Sequence, residues 1–321
     1  MFDVKCEQAQ EYVGQDLGTM ERVPLFIMDW RHHPNKDDRW YEQRYKEAER
    51  TGMLHILKRE IDRDTTAQKE STLIKREWVK AAVNLHKELP ELLDGGLCGG
   101  LDIADGGQDF NAIVIRKGLT IVNAASWVAS DTAHTARKAL TMAELSMQQF
   151  KHKLFSLYYD SIGVGSGVKA ETNRLRDSGD LLNGVSIYAW NAAASPEYPD
   201  KRVEPKDKQT PLNKDYFANL KAQGWWSLRR RFEKTYRYRE FGEAYNVNEL
   251  ISLEEIKDKD IFNQLTKELC QVKIKETPTM KLVIDKAPKG IRSPNIADAA
   301  MMCCFPLKGA SPYTTSLENI S

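Results

Sequence analysis

Residues 101–128 hold three short apolar segments separated by turn residues, and this pattern constrains the fold more than any other part of the chain. Residues 101–103 precede a glycine-rich turn, residues 112–115 follow it, and Lys117-Gly118 separates them from residues 119–122. Alternating apolar runs bounded by Gly and Asp are typical of β-strands. Because such short turns can join only antiparallel neighbours, the sequence predicts a three-stranded antiparallel unit.

Alternating helix and strand patterns follow this unit. A helix of about 20 residues begins at Ser130 or Asp131, the strand KLFSLYYD ends at Asp160, and a glycine turn leads into a second helix before the strand GVSIYAW. The order β-β-β-α-β-α-β predicts a mixed α/β domain. Further on, the sequence predicts a long loop over 191–215, a helix over NLKAQGWWSLRRRFEKTYRYREF, a strand in KLVIDKAP and a final helix that begins near Pro294.

The part before this α/β region has a different character. Residues 1–95 are highly charged, with helical patterns in DDRWYEQRYKEAER and STLIKREWVKAAVNLHKEL. Residues 89–100 carry one proline and four glycines, which is typical of a linker. We therefore predict a helical lead-in over 1–95 and an α/β domain over 96–321.

Three aspartates occupy unusual positions in these elements. Asp102 lies between Leu101 and Ile103 in the first strand, Asp160 ends a central strand, and Asp298 lies in an otherwise apolar helix. Buried carboxylates need a partner, and no Lys or Arg is placed equally beside them. Carboxylates favour Mg²⁺ or Mn²⁺ over zinc, and two such ions can hydrolyse a phosphodiester bond. The joint pattern predicts a shared metal site.

Each aspartate also has a structural explanation when it is taken alone. Asp160 is typical of a turn at the end of a strand, and Asp298 of an acid near a helix N-terminus. Asp109, in the turn after the first strand, is the first candidate for an auxiliary metal contact.

The same motifs resemble a known family. DIADGGQDFNAIVI, LYYDSIGVGSGV, SPNIADAAMM and NLKAQGWWSLRRRF resemble the nuclease domain of large terminase subunits of tailed bacteriophages. WRHHPNKDDRWYEQ and STLIKREWVKAAV resemble the segment that joins the ATPase to the nuclease in that family, so the likeness spans roughly residues 20–306. It implies a ribonuclease H-like fold, with Asp102, Asp160 and Asp298 as the metal-binding acids and Asp109 as an accessory acid.

The resemblance also implies an activity and partners. Such proteins cut concatemeric viral DNA during packaging, with a small terminase subunit and a portal protein as partners, in the host cytoplasm and transiently at the procapsid portal. The family's motor part carries the P-loop GxxxxGK[ST], which is missing here. We therefore expect the C-terminal part of a terminase, as in a split gene or a decayed prophage copy, without ATPase activity of its own.

Composition limits where double-stranded DNA can bind. The formal net charge is only +1, so any basic surface must be local. Residues 201–240 hold twelve lysines and arginines against five acids, a net +7. Contact of such groups with DNA phosphates is independent of sequence. We predict DNA contacts from this segment, with Arg229, Arg230 and Arg231 as candidates, and from Lys286 and Lys289 before the final helix.

Two other classes of protein stay open at this point. The Asp102 hairpin with its Gly-Gly turn resembles the phosphate loop of actin-like and sugar-kinase nucleotide-binding proteins. A DNA-clamping or docking remnant of the packaging motor is the non-catalytic alternative. Five cysteines without a CxxC pair, no basic-then-apolar start and no long apolar run predict a soluble intracellular protein.

Overall fold

The three predicted antiparallel strands form the centre of a mixed sheet. β1 (Leu97–Asp102) pairs with β2 (Asn111–Lys117), and β2 pairs with β3 (Thr120–Trp127), both antiparallel. β4 (Phe155–Asp160) lies parallel to β1, and β5 (Val185–Trp190) lies parallel to β4. The predicted α/β architecture, with three antiparallel strands followed by parallel ones, is confirmed.

The chain is divided into two units, Met1–Ser71 and Thr72–Ser321. The sequence placed a boundary near residue 95 instead. Residues after 72 fall in the second unit because α2 (Arg76–Ala82) packs against α6 (Leu220–Phe241). The structure, a computed structural model, describes residues 30–51, 57–58, 61–62, 72–104, 110–128, 131–162, 165–181, 183–204, 208–276, 281–288 and 291–305.

The first unit contains the predicted capped helix. α1 (Asp38–Thr51) follows a short 3-10 helix, and the Asp37 carboxylate accepts a hydrogen bond from Trp40 N at 2.8 Å. This bond satisfies one of the free N–H groups at the helix start. The Trp30 ring stacks on Tyr41 with centroids 5.0 Å apart, which fixes the approach of the chain to α1.

The second predicted N-terminal helix is shorter than its sequence pattern. α2 ends at Ala82 because Asn84 adopts a left-handed conformation with φ 57°. Val83 and Asn84 instead bond to the short strand β6 (Ser252–Leu253), and Asn84 N donates to Leu253 O at 2.9 Å. β6 pairs with β3 and completes the sheet order β5-β4-β1-β2-β3-β6.

Helices cover both faces of the sheet. On one face, α3 (Thr132–Gln149) packs its alanines on Leu101, Ile113 and Leu157, and α4 (Gly165–Asp177) packs beside α3. On the other face, α8 (Asn295–Cys304) lies against β1 and β2. The remaining elements are α5 (Asn213–Tyr216), α7 (Lys259–Gln271), the hairpin of β7 (Lys273–Glu276) and β8 (Leu282–Asp285), and 3-10 helices at Leu85–Lys87, Pro90–Leu93 and Val247–Glu249.

Gly100 explains how α8 comes so close to the sheet. A Cβ atom at this position would lie 2.0 Å from the carbonyl oxygen of Ala299. Only glycine permits such an approach of backbone to backbone. Residues two apart on a strand share a face, so Asp102 lies on the same face of β1 as Gly100 and points towards α8.

The helix α6 follows its predicted bounds. The Asn219 side chain accepts a hydrogen bond from Ala222 N at 2.9 Å at the start of the helix, and Gly242, with φ 66°, ends it.

Among the helices that the structure describes, none combines the length and the apolar character needed to cross a membrane.

Candidate metal centre

Asp102 and Asp160 lie at the carboxyl ends of adjacent parallel strands. The register pairs Leu101 with Tyr159, so the two aspartates follow at the next position on neighbouring strands. Adjacent strands are about 4.8 Å apart, and residues in register point to the same face. Asp102 is 8% exposed. The strand register thus places both predicted acids on the face that α8 covers.

Asp298 reaches this face from the first turn of α8. It is 4% exposed, and both of its oxygens have partners. Trp225 Nε1 donates to Oδ1 at 3.0 Å, and Lys286 Nζ contacts Oδ2 at 2.5 Å. Lys286 follows β8 directly, so the β7-β8 hairpin places its ammonium group next to Asp298 of α8.

Lys286 interacts with all three predicted aspartates. Burial alone would lower the pKa of this lysine, but the attraction of Asp298, Asp102 and Asp160 outweighs it and raises the pKa. Burial raises the pKa of Asp160, although the hydrogen bond from Ile162 N to its Oδ1, at 3.0 Å, acts in the opposite direction. Asp298 contacts the ammonium group, and Asp102 and Asp160 act on it through their charge, so Lys286 balances part of the charge of the three acids.

The donor chemistry fits a hard divalent cation, but the arrangement is not preformed. Among the residues that the structure describes, no group of three or more His, Cys, Asp or Glu is placed to hold a metal ion. The Lys286 ammonium supplies the positive charge in this arrangement. Asp109 lies outside the described residues.

Glu268 on α7 positions the helix that carries Asp298, and the sequence analysis missed it. Its Oε2 accepts hydrogen bonds from Ile296 N at 2.8 Å and Ala297 N at 3.0 Å, both in the first turn of α8. The side chain of Pro294, at the N-cap position, makes no capping bond, so Glu268 replaces the cap from another helix. Its position next to buried Leu265 and Leu269 was the available signal, because a carboxylate on an apolar helix face needs a partner.

Two of the predicted DNA-contact arginines are internal, which argues against that role. Arg229 is 5% exposed and pairs with Glu233 at 2.9 Å. Arg231 is 5% exposed and donates to backbone carbonyls of the segment that follows α6. Successive helical residues point about 100° apart, so Arg229 and Arg231 turn inwards, on a helix whose tryptophans lie in the core. Arg230 is partly exposed and pairs with Glu204 at 2.8 Å. Lys289 lies outside the described residues.

The sheet order, the helices on both faces and the acids at the carboxyl edge define a ribonuclease H-like domain. Its structural neighbours include the nuclease domain of the large terminase subunit gp2 of bacterial virus Sf6, with 26% identity, a TM-score of 0.63, and coverage of 74% of this chain and 99% of that one. A lysine-to-alanine mutant of that domain with manganese gives the same identity and TM-score, with 74% and 100% covered. So does a mutant with calcium, at the same coverage.

The chain thus has the fold of the nuclease domain of large terminase subunits, as its motifs predicted. No protein-family model matches it, and no curated protein does. These neighbours give no support to the actin-like nucleotide-binding alternative.

Proposed function

We propose that this chain is a metal-dependent DNA endonuclease that cuts concatemeric viral DNA for a phage packaging terminase. The observation that supports it is that adjacent strands end in Asp102 and Asp160 on the face covered by α8, where Lys286 pairs with Asp298 and is attracted by the other two aspartates. Like charges brought together in a buried place need a cation. The similar Sf6 nuclease domain is known in structures with manganese and with calcium, which supports a divalent ion as the working cation.

Asp102, Asp160 and Asp298 would hold the metal, which we propose to be two Mg²⁺ or Mn²⁺ ions, with Asp109 as an auxiliary contact. Bound divalent ions would stabilise the negative charge on the phosphodiester oxygens and lower the pKa of an attacking water. Carboxylate oxygens are the ligands that such ions prefer.

The neighbouring side chains prepare this site. Trp225 holds Oδ1 of Asp298, which leaves Oδ2 for Lys286 or for a metal ion. The Ile162 amide holds one oxygen of Asp160 in the same way. With Oδ2 of Asp298 serving as a ligand of a bound metal ion, the Lys286 ammonium would be free to contact a DNA phosphate oxygen. We propose this exchange as the reason why a lysine lies among the acids.

Further features of the proposal come from the family. We propose double-stranded DNA as substrate, the small terminase subunit and the portal protein as partners, and the host cytoplasm as location. We propose that residues 1–95 correspond to the end of the ATPase part. Because the 321 residues hold no P-loop, we propose that this chain does not hydrolyse ATP itself.

The test is cleavage of supercoiled plasmid with increasing Mn²⁺ or Mg²⁺, measured as conversion to nicked and linear forms. Asp102→Asn and Asp160→Asn remove one charge each and keep the side-chain shape. Asp177→Asn, at the exposed end of α4, is the matched control. Losing a hydrogen-bond partner of a metal ligand lowers activity by up to about 100-fold. Because Asp102 and Asp160 are proposed as the ligands themselves, we expect the first two changes to reduce cleavage by about 100-fold or more.

A second measurement separates loss of metal from loss of fold. Mn²⁺ should raise the unfolding temperature of the unchanged protein, because it binds only the folded state. Both variants should fold, as judged by circular dichroism, and should lose this increase. Metal-dependent cleavage that persists in both variants contradicts the site. A folded chain that cleaves DNA neither with Mn²⁺ nor with Mg²⁺ supports the non-catalytic clamp instead.

A further inference from the structure

A cavity beside α6 has an uneven balance of charge. It offers about 120 Å³ of space to the centres of water molecules, against roughly 10–15 Å³ for one water. Residues 201–204 form one wall, α6 forms a second, and Phe305 at the end of α8 contributes to the lining. Five lysines and arginines line it, with only two glutamates.

The two glutamates neutralise only part of this charge. Glu204 pairs with Arg230 at 2.8 Å, and Glu249 pairs with Lys234. In the described part of the chain, the other three cations have no carboxylate partner. Arg231 donates to the carbonyls of Asn248 and Leu250, at 2.7 and 3.0 Å, and Arg202 to a backbone carbonyl. Lys201 lies over the ring of Tyr198 at 4.7 Å.

Two buried donors in the lining point to the same ligand chemistry. Trp226, 3% exposed, and Arg231 both line the cavity. The indole Nε1 and the guanidinium Nε have no hydrogen-bond partner among the described residues. A buried donor without an acceptor is rare in folded proteins and indicates a bound water or ion. Cations together with free donors favour an anion that carries several acceptor oxygens.

We propose that this cavity binds a phosphate group of the DNA backbone. The ligand is a tetrahedral oxyanion held by Lys201 and Arg202, which among the described lining residues are the two cations that are neither buried nor paired with a carboxylate. This assignment rests on the proposed nuclease function for its source, because the same chemistry would also hold free inorganic phosphate.

The helix α8 connects the cavity lining with one of the aspartates. α8 carries Asp298 in its first turn, and Phe305 follows its last residue. At 1.5 Å of rise per residue, these positions are about 10 Å apart along the helix. One strand of DNA places a phosphate every 3.4 Å along the duplex axis, so this separation along the helix equals roughly three phosphate spacings. A strand held in this cavity would be positioned for cutting by the aspartates.

The experiment compares Lys201→Gln with Lys257→Gln, a matched loss of one charge at an exposed lysine outside the cavity. Inorganic phosphate is titrated into the full chain without divalent metal, and tryptophan fluorescence is followed. Binding of a short DNA duplex is then measured at several salt concentrations. We expect saturable phosphate binding that weakens in Lys201→Gln. The slope of log affinity against log salt should fall by about 0.9, the value for one lost phosphate contact.

Arg202→Gln is a second, independent variant. It should also weaken phosphate binding and lower the slope of log affinity against log salt. Phosphate binding that Lys201→Gln and Arg202→Gln weaken, with an unchanged salt slope, would assign the cavity to free phosphate and overturn the DNA source. A slope that falls equally in Lys257→Gln would overturn the cavity altogether, as would the absence of any phosphate effect. Plasmid cleavage tests the nuclease separately, because it depends on Asp102 and Asp160.

Discussion

The carboxylate of Glu268 accepts hydrogen bonds from the start of the helix that carries Asp298. Replacing it with glutamine tests the hydrogen bonds and the charge separately, because the amide can keep the bonds but carries no charge. Both backbone donors, Ile296 N and Ala297 N, reach the same oxygen, Oε2. Gln264 donates to the other oxygen at 2.8 Å. A glutamine at 268 can therefore keep both backbone bonds through its single carbonyl oxygen, while the Gln264 amide turns round. Only the charge is lost.

The size of the effect follows from the pKa of this carboxyl. Burial raises the pKa of Glu268 from 4.5 to about 7, and the side chain is 5% exposed. A folded-state pKa above the unfolded value means that the fold favours the protonated form. Stability from this group is then greatest below pH 4.5 and falls as the pH rises to about 7. At about 1.36 kcal/mol for each pKa unit, the loss is roughly 3 kcal/mol.

The assay is urea unfolding of the metal-free protein between pH 5 and pH 9, with the free energy of unfolding compared between the two proteins. We expect Glu268→Gln to equal the unchanged protein at pH 5 and to exceed it by roughly 3 kcal/mol at pH 9. Glu268→Ala, which leaves both donors without an acceptor, should cost about 3 kcal/mol at pH 5. A difference for Glu268→Gln that stays constant across this range would refute the reasoning.

Three further changes test the contacts around Asp298. Lys286→Met should lower the stability of the metal-free protein by about 3 kcal/mol, because it leaves a buried carboxylate without its ion pair. Adding Mn²⁺ should then stabilise this variant more than it stabilises the unchanged protein. Thermal unfolding with and without Mn²⁺ measures both effects. Trp225→Phe removes the 3.0 Å bond to Asp298 and should raise the Mn²⁺ concentration for half-maximal cleavage by about 10-fold; an unchanged requirement would argue against its positioning role. Gly100→Ala should cost about 3 kcal/mol in urea unfolding, because the added methyl meets the Ala299 carbonyl; a neutral result would contradict the close approach of α8.

Local pattern predicted most of the sheet. Alternating apolar runs and short turns gave the antiparallel β1-β2-β3 unit, and each later strand was bounded by glycine or acid residues that mark its ends. The short strand β6 was missed, because two residues carry no periodicity. The length of α2 was overestimated, because the left-handed Asn84 is stabilised by bonds to β6, far away in the chain.

The charge run on α6 shows the limit of reading charge from sequence. Three consecutive arginines predicted a DNA-contact surface, but consecutive helical residues point in directions about 100° apart. Arg229 and Arg231 are therefore turned towards Glu233 and towards backbone carbonyls. The same segment still supplies a cationic cavity, through residues that the helix turns outwards and through the loop before it.

By itself, the sequence determined the strand order of the central unit and placed Asp102 in its first strand and Asp160 at the end of a later one, because hydrophobic periodicity and turn residues act over short distances. Only the tertiary structure decided what faces those acids. Gly100 admits α8, Glu268 holds its first turn, and the β7-β8 hairpin brings Lys286 to Asp298. These partners are far apart in the chain, so their meeting depends on packing and desolvation, which no local pattern encodes.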